Sequence, residues 1–282
     1  MSAPLLEVLT KAAGYLKNKG VQNARLDAEL LFAHALKVKR LDLYLQFDRP
    51  LSDTELESYR AMIRRRGLRE PLQHILGTSE FRELRLKVDR RALIPRPETE
   101  ILLDVFKKNL PSSPKPRILD VGVGTGAIAL SVLKEFPQCE TSACDVSADC
   151  LALTAENAGL NSLPQPELAR GNLFDAFAPE RRWDAILSNP PYVAEAEING
   201  LEPEVRDFDP RLALSGGPLG WEIPAALIEG AFPRVEPGGF LLLEIGPPQF
   251  ELLRAKALSI GWKTVEGHAD YEKTNRFFLC YR

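Results

Sequence analysis

The sequence predicts an α/β protein: a Rossmann-like, mostly parallel sheet with an antiparallel hairpin at its C-terminal edge, preceded by a small helical domain. Three observations carry this. Through residues 4 to 67, apolar residues recur at helical spacing, as in Leu5, Leu9, Ala12 and Leu16, or Leu26, Leu30, Ala33 and Leu36. From Arg117 onward, short apolar runs alternate with helical stretches, the pattern of strands covered on both faces. Where the first of these runs gives way to a helix stands Asp120-Val121-Gly122-Val123-Gly124-Thr125-Gly126, whose glycines permit a tight turn and a close approach of ligand to backbone.

Residues 1–75 read as the helical domain. Ser52 with Glu55 three residues later forms a capping box ahead of Leu56, Tyr59 and Ile63, and that helix ends at Gly67. Arg69 to Gly77 is a punctuated segment, and the period-two alternation from Glu80 to Val88 predicts a short hairpin. Residues 76–96 are therefore expected to be a linker bearing that hairpin, and 97–282 the second domain. A helix runs from about Glu98 to Leu110, with a proline near its first turn and acids nearby; Pro111-Ser112-Ser113-Pro114 breaks the chain after it. Strands follow at Ile118–Val121, Thr141–Val146, Glu167–Arg170, Trp183–Ser188 and Phe240–Ile245, with helices starting at Ala127 and Ala148. Trp262–His268 and Arg276–Tyr281 pair as the edge hairpin.

With 282 residues, 45% of them hydrophobic, the chain has enough material for two modest cores. Its net charge of −3 hides a split: 18 Lys/Arg against 12 Asp/Glu in residues 1–91, and 18 against 27 in residues 92–282. The basic part suits an acidic protein partner, an RNA backbone or simply a solvated surface, whereas the acidic remainder argues against wrapping duplex DNA. Cys139, Cys144, Cys150 and Cys280 show neither CxxC spacing nor a nearby pair of histidines. They are expected to be buried thiols, with no metal site and no disulfide framework. Met1-Ser2-Ala3-Pro4 lacks the basic and apolar regions of a signal peptide, and no apolar run approaches the roughly 18 residues of a membrane span. A cytoplasmic protein is expected.

The glycine turn, with Ala127 at the last position, also fits the G-x-G-x-x-G/A dinucleotide pattern, and Asp145 ends the next strand where a ribose-binding acid belongs. A nicotinamide nucleotide and S-adenosylmethionine both offer such a diol. Two features favour S-adenosylmethionine. Asp120 suits the methionine ammonium, while a carboxylate beside a pyrophosphate is repelled. Asn172-Leu173-Phe174, after the third strand of the second domain, offers an amide and apolar side chains for the edge and face of adenine. The residues expected to hold the cofactor are Asp120, the turn Gly122-Val123-Gly124-Thr125-Gly126, Asp145, Asn172 and Leu173.

Asn189-Pro190-Pro191-Tyr192 follows the strand Trp183–Ser188. A carboxamide or exocyclic nitrogen is a poor nucleophile, because its lone pair is delocalised and no base at neutral pH removes its proton first. The Asn189 side-chain carbonyl and the Pro190 main-chain carbonyl are suited to take its two N–H bonds and aim the lone pair at a methyl group. Consecutive prolines keep the turn stiff and free of donors, and the Tyr192 ring is expected to cover the acceptor plane. Catalytic roles fall to Asn189, Pro190 and Tyr192, substrate contacts to Asn189, Pro190, Pro191 and Tyr192, and no general base is assigned.

These residues, together with Arg69–Gly77 and Glu80-Phe81, Leu93-Ile94-Pro95-Arg96-Pro97-Glu98-Thr99-Glu100, Pro210–Leu214, and Leu243-Glu244-Ile245-Gly246 with Gln249, resemble the bacterial protein-(glutamine-N5) methyltransferases that modify peptide-chain release factors, the PrmC/HemK family. The resemblance covers nearly the whole chain. It implies a class I S-adenosylmethionine-dependent methyltransferase domain, and methylation of the glutamine in a Gly-Gly-Gln motif of class 1 release factors with S-adenosylhomocysteine as product. It also implies a helical domain that helps hold the release factor, contacts of Gly122 to Gly126, Asp145, Asn172, Leu173 and Asn189 with S-adenosylmethionine, and a glutamine held by Asn189 to Tyr192. A monomer with no nucleic-acid target is expected. Asn172 stands where many relatives carry an acid, and His74 where relatives often have Tyr; His74 is read as packing. Two other readings share parts of the pattern: methylation of an adenine or guanine amino group, against which stand the acidic catalytic half and the lack of an added recognition domain, and a noncatalytic binding protein, against which stand Asp120, Asp145 and Asn189.

Overall fold

The computed structural model describes residues 4–282, so Met1-Ser2-Ala3 of the leader reading lie outside the described residues. By its contacts the chain forms two compact units, one reaching to Gly77 and including Glu202–Phe208, the other comprising Thr78–Leu201 and Asp209–Arg282. Glu202–Phe208, which falls within residues 97–282, thus belongs with the first unit.

In the first unit, α1 (Leu5–Asn18), α2 (Ala24–Leu36), α3 (Asp53–Gly67) and the short α4 (Leu72–Leu76) enclose a core around Phe32 and Tyr59, whose rings stack at 4.0 Å. The buried face of α1 is Leu5, Leu9, Ala12 and Leu16, as its spacing predicts. α2 differs: Leu26 is 40% exposed, and the buried stripe runs through Ala24, Asp27, Ala28, Leu31 and Phe32. The reason is electrostatic as well as apolar, because Asp27 turns inward to meet Arg66 Nε at 2.7 Å. The capping box forms, with Ser52 Oγ accepting from Glu55 N at 3.3 Å and Glu55 Oε2 accepting from Ser52 N at 2.9 Å. Within this unit Arg66 and Arg69 both donate to Glu204, at 2.9 and 2.7 Å, which holds α8 (Pro203–Arg206). His74 lies in α4.

In the second unit the hairpin of β1 (Thr78–Phe81) and β2 (Leu84–Lys87) forms as its alternation predicts, burying Phe81, Leu84 and Leu86 in the core. It is thus part of this unit's core, where the sequence suggested a linker. α5 (Thr99–Lys108) follows, and then the main sheet: β3 (Arg117–Val121), β4 (Glu140–Asp145), β5 (Glu167–Arg170), β6 (Trp183–Ser188), β7 (Val235–Glu244), β8 (Thr264–Ala269) and β9 (Asn275–Tyr281). Their spatial order is β5-β4-β3-β6-β7-β9-β8; β3 to β7 run parallel, and β9 is antiparallel to both β7 and β8.

Side chains of alternate residues divide the core into two layers. Ile118, Ala185, Leu187, Leu242 and Leu279 meet α5, α6 (Ala127–Glu135) and α7 (Ala148–Leu160) on one face. Leu119, Val121, Ile186, Leu243 and Phe278 meet α10 (Glu222–Ala231) and α11 (Phe250–Ile260) on the other. α9 (Arg211–Leu214), α10 and α11 complete the unit. The four cysteines are buried and free. Among the described residues no helix is long and apolar enough to cross a membrane, and no cluster suited to a metal ion occurs.

Candidate active site

The strand order reverses between β3 and β6, and an open α/β sheet leaves a crevice beyond the strand ends at such a point. A cavity lies there, lined from the β3 end by Val121, Gly122 and Gly124, from β4 by Cys144 and Asp145, from the β5 turn by Gly171, Asn172 and Leu173, and from β6 by Ser188, Asn189, Pro190 and Pro191. Leu93, Pro210 and Ser215 contribute from loops and Leu212 from α9.

The glycine turn is shaped to admit a ligand. Gly122 and Gly124 have φ of +76° and +56°, and a Cβ at Gly122 meets nothing within 4 Å, so the turn opens onto space that a ligand can fill. Gly126 serves otherwise. A Cβ there would come within 2.9 Å of Thr154 on α7, so its smallness allows close helix packing. Val123 and Thr125 are buried away from the cavity, Val123 beside Ala129 and Ala143. The cavity wall therefore takes Gly122 and Gly124 from the run Gly122–Gly126, while Val123, Thr125 and Gly126 support it from behind.

Asp145 joins the strand end to this turn, its Oδ2 accepting from Gly124 N at 3.1 Å and its Oδ1 from Ser147 N at 2.9 Å. Each oxygen keeps a lone pair for a ribose hydroxyl. Asp120 is placed differently from the ammonium contact expected of it. It is 1% exposed, does not line the cavity, and accepts from Ala129 N at 3.0 Å in the first turn of α6. Burial, partly offset by that bond, pushes its carboxyl up to about 7. Leu173 takes a φ of +52° and its carbonyl accepts from Cys144 Sγ, which turns the loop so that Asn172 and Leu173 line the cavity. Phe174 goes instead to the core, 4% exposed and beneath the Arg234 guanidinium, and is unavailable to adenine.

At the start of the Asn189–Tyr192 turn, Ser188 Oγ donates to Val121 O at 2.6 Å and ties the ends of β6 and β3 together. Asn189 Nδ2 donates to Thr99 Oγ1 at 3.1 Å, Thr99 Oγ1 donates to Glu244 Oε2 at 2.7 Å, and the Tyr192 hydroxyl donates to Glu244 Oε1 at 3.1 Å. Glu244 is 2% exposed, and burial raises its pKa despite these donors. The Tyr192 hydroxyl is thus tied back to Glu244 and its ring is absent from the cavity wall, which departs from the expected cover over the acceptor. Its carbonyl accepts from Gln249 Nε2 at 2.8 Å, and the loop beyond bonds to residues 214–217 through Val193 and Glu195.

Thr99, Glu244 and Gln249 had no role assigned from sequence, although each lies in a segment that the family resemblance uses. Gly216 and Gly220 were missed; the cluster Gly216-Gly217-Pro218-Leu219-Gly220 is a turn signal that could have marked them. Arg96 donates to Asp209 Oδ2 at 2.7 Å, bringing the Leu93–Glu100 segment to the start of α9.

Two family models match the chain: "PrmC N-terminal domain" over residues 7–77 and "Methyltransferase small domain" over residues 97–202. A release factor glutamine methyltransferase of Geobacter sulfurreducens is 40% identical over 245 residues, covering 87% of this chain and 85% of its own. The chain belongs to the release factor glutamine methyltransferase family. Another member, from Deinococcus radiodurans, is 39% identical over 279 residues and matches 99% of this chain and 98% of its own. Membership makes the protein a methyltransferase with S-adenosylmethionine as methyl donor. The open glycine turn, the Asp145 lone pairs and the Asn172–Leu173 wall fit that donor. Among solved structures, a methyltransferase from Pyrococcus furiosus is 21% identical with a TM-score of 0.52, covering 70% of this chain and 88% of its own, and shares the fold.

Proposed function

We propose that this release factor glutamine methyltransferase family member transfers the methyl group of S-adenosylmethionine to N5 of the glutamine in the Gly-Gly-Gln motif of class 1 release factors, and so modulates translation termination. The observation that carries this reading is the presence of the Asn189 amide and Pro190 in the same cavity wall as the glycine turn and Asp145. Gly122 and Gly124 admit the donor, Asp145 holds its ribose diol, and Asn172 and Leu173 take adenine. Asp120 braces the turn through α6. S-adenosylmethionine supplies an electrophilic methyl on sulfonium sulfur. Asn189 Oδ1 and the Pro190 carbonyl accept the two N–H bonds of the glutamine amide and aim its nitrogen lone pair along the line of displacement. Pro191 stiffens the turn, and Tyr192 holds it from behind through Glu244. The proton leaves late in, or after, the displacement and needs no general base. Positioning of this kind can supply about 7 to 11 kcal/mol.

The helical domain holds the release factor, and the second unit, Thr78–Leu201 with Asp209–Arg282, carries out transfer. The protein acts as a cytoplasmic monomer without a nucleic-acid target. The test is incubation with labelled S-adenosylmethionine and a folded release factor, followed by mapping of the label. Label on the Gly-Gly-Gln glutamine supports the assignment. Label absent from it, or transfer to RNA or DNA exceeding transfer to the release factor, overturns it.

A further inference from the structure

An amide has two ends of similar shape and opposite hydrogen-bonding character, and a site that must accept two N–H bonds fails if the wrong end faces the substrate. We propose that Thr99 and Glu244 are positioning residues that fix which end of the Asn189 side chain meets the acceptor; the inference rests on the acceptor role given to Asn189 above.

Proton count decides the orientation. Burial raises the Glu244 pKa, but the two hydroxyls aimed at it, that of Thr99 at Oε2 (2.7 Å) and that of Tyr192 at Oε1 (3.1 Å), favour the ionised carboxylate, which only accepts. A hydroxyl has a single proton. Thr99 commits its proton to Glu244 and therefore offers only lone pairs to Asn189. The Asn189 atom 3.1 Å away is accordingly the donor, Nδ2, and Oδ1 points elsewhere, available to an acceptor N–H. The relay is well protected from water, because Thr99 is 4% and Glu244 2% exposed. It also spans separate elements: Thr99 opens α5, Glu244 ends β7, and Asn189 and Tyr192 follow β6. The flipped amide would set an NH2 against the substrate NH2, with no acceptor between them and one hydrogen bond to Thr99 lost.

Thr99→Val removes the hydroxyl at nearly constant shape, and Thr99→Ser restores it. With a folded release factor as substrate, Thr99→Val is expected to lower kcat about 10- to 100-fold, the scale of a small misplacement at the reacting centre. Cofactor affinity by calorimetry and KM for the release factor should change by less than about threefold, and Thr99→Ser should recover most of kcat. A second variant, Glu244→Gln, should lower kcat with the same sparing of cofactor affinity, because a neutral amide no longer obliges Thr99 to donate outward.

The Asn189 side-chain NH2 resonance, followed by NMR without any acceptor present, should move in Thr99→Val and return in Thr99→Ser. The proposal is overturned by near-normal kcat in Thr99→Val, by Thr99→Ser as impaired as Thr99→Val, or by an unmoved Asn189 resonance. If the wild-type protein places no methyl on the glutamine, the substrate reading fails, and the resonance still decides whether the relay exists.

Discussion

Gly216 lies so close to Pro191 that a Cβ on it would stand 2.8 Å from the Pro191 carbonyl oxygen, with the Gly220 carbonyl pressing from another side. The contact is backbone against backbone, so no side chain can rotate away to relieve it. Gly216 N also donates to Val193 O at 2.9 Å, which pins the two segments at the spacing that excludes a methyl group. Gly216→Ala should therefore displace the Asn189–Tyr192 turn, lowering kcat by at least about tenfold and stability by about 1 to 3 kcal/mol. Steady-state kinetics and denaturant unfolding check the two effects separately.

Asp120 should make stability pH-dependent in an unusual direction. Its carboxyl is raised by burial to about 7, above the unfolded value, so the folded protein holds a proton that the unfolded chain releases between about pH 4 and 7. Its contribution is fully present below the unfolded pKa and lost as pH rises through the folded one. Asp120→Asn keeps a side-chain carbonyl for Ala129 N and removes the titration. The variant should gain on wild type as pH rises, by a few kcal/mol at pH 8, on the scale of about 1.4 kcal/mol for each tenfold change in proton affinity. Urea unfolding of both proteins at pH 5 and pH 8 measures the difference; a gap independent of pH would contradict this role.

Asp145 combines support of the glycine turn with a free lone pair on each oxygen. Asp145→Ala should weaken S-adenosylmethionine binding by about 10- to 100-fold or more, since hydrogen bonds to a charged group contribute about 1.5 to 3 kcal/mol each. Calorimetry of cofactor binding without release factor isolates the effect.

For Asn189→Ala the expectation is reversed. Its Nδ2 donates to Thr99, and in the acceptor role proposed above its Oδ1 takes a substrate N–H, so turnover should fall by about two to four orders of magnitude while cofactor affinity stays largely intact. Single-turnover kinetics alongside cofactor titration would show the split, and near-normal turnover would refute the acceptor role.

How much of this was legible in the chain itself depends on how local each signal is. The strands β3 to β6, the helix starts at Ala127 and Ala148 and the Ser52 capping box rest on neighbours within a few residues, and periodicity found them. α10 and α11 pack on the sheet with no comparable start signal, and they went unread. Within the site, Gly122, Gly124, Asp145 and Asn189 are strand-end residues on the cavity wall, where a doubly wound sheet places them for topological reasons. Thr99 and Glu244 are 145 positions apart and meet only because α5 packs against β7. No spacing rule connects them. The misreading of Leu26 has a similar origin: helical spacing alone could not show that Asp27, a charged residue, would take the inward position opposite Arg66, 39 positions away.

That ion pair offers the sharpest stability test in the first unit. Arg66 and Asp27 are 7% and 6% exposed, and Arg66 Nε donates to Asp27 Oδ2 at 2.7 Å while another nitrogen reaches Glu204 at 2.9 Å. Arg66→Leu leaves the Asp27 charge buried without its partner and should cost about 3 to 5 kcal/mol. Glu204 keeps its bonds to Arg69 in that variant, so the loss should come chiefly from Asp27. Adding Asp27→Leu removes the stranded charge, and the double variant should recover most of the loss, because an apolar pair can replace a buried ion pair at little net cost. Denaturant unfolding of the two single variants and the double variant completes the cycle. Additive losses, with the double variant less stable than either single one, would mean that packing around Arg66, and not the charge pairing, holds α2 against α3.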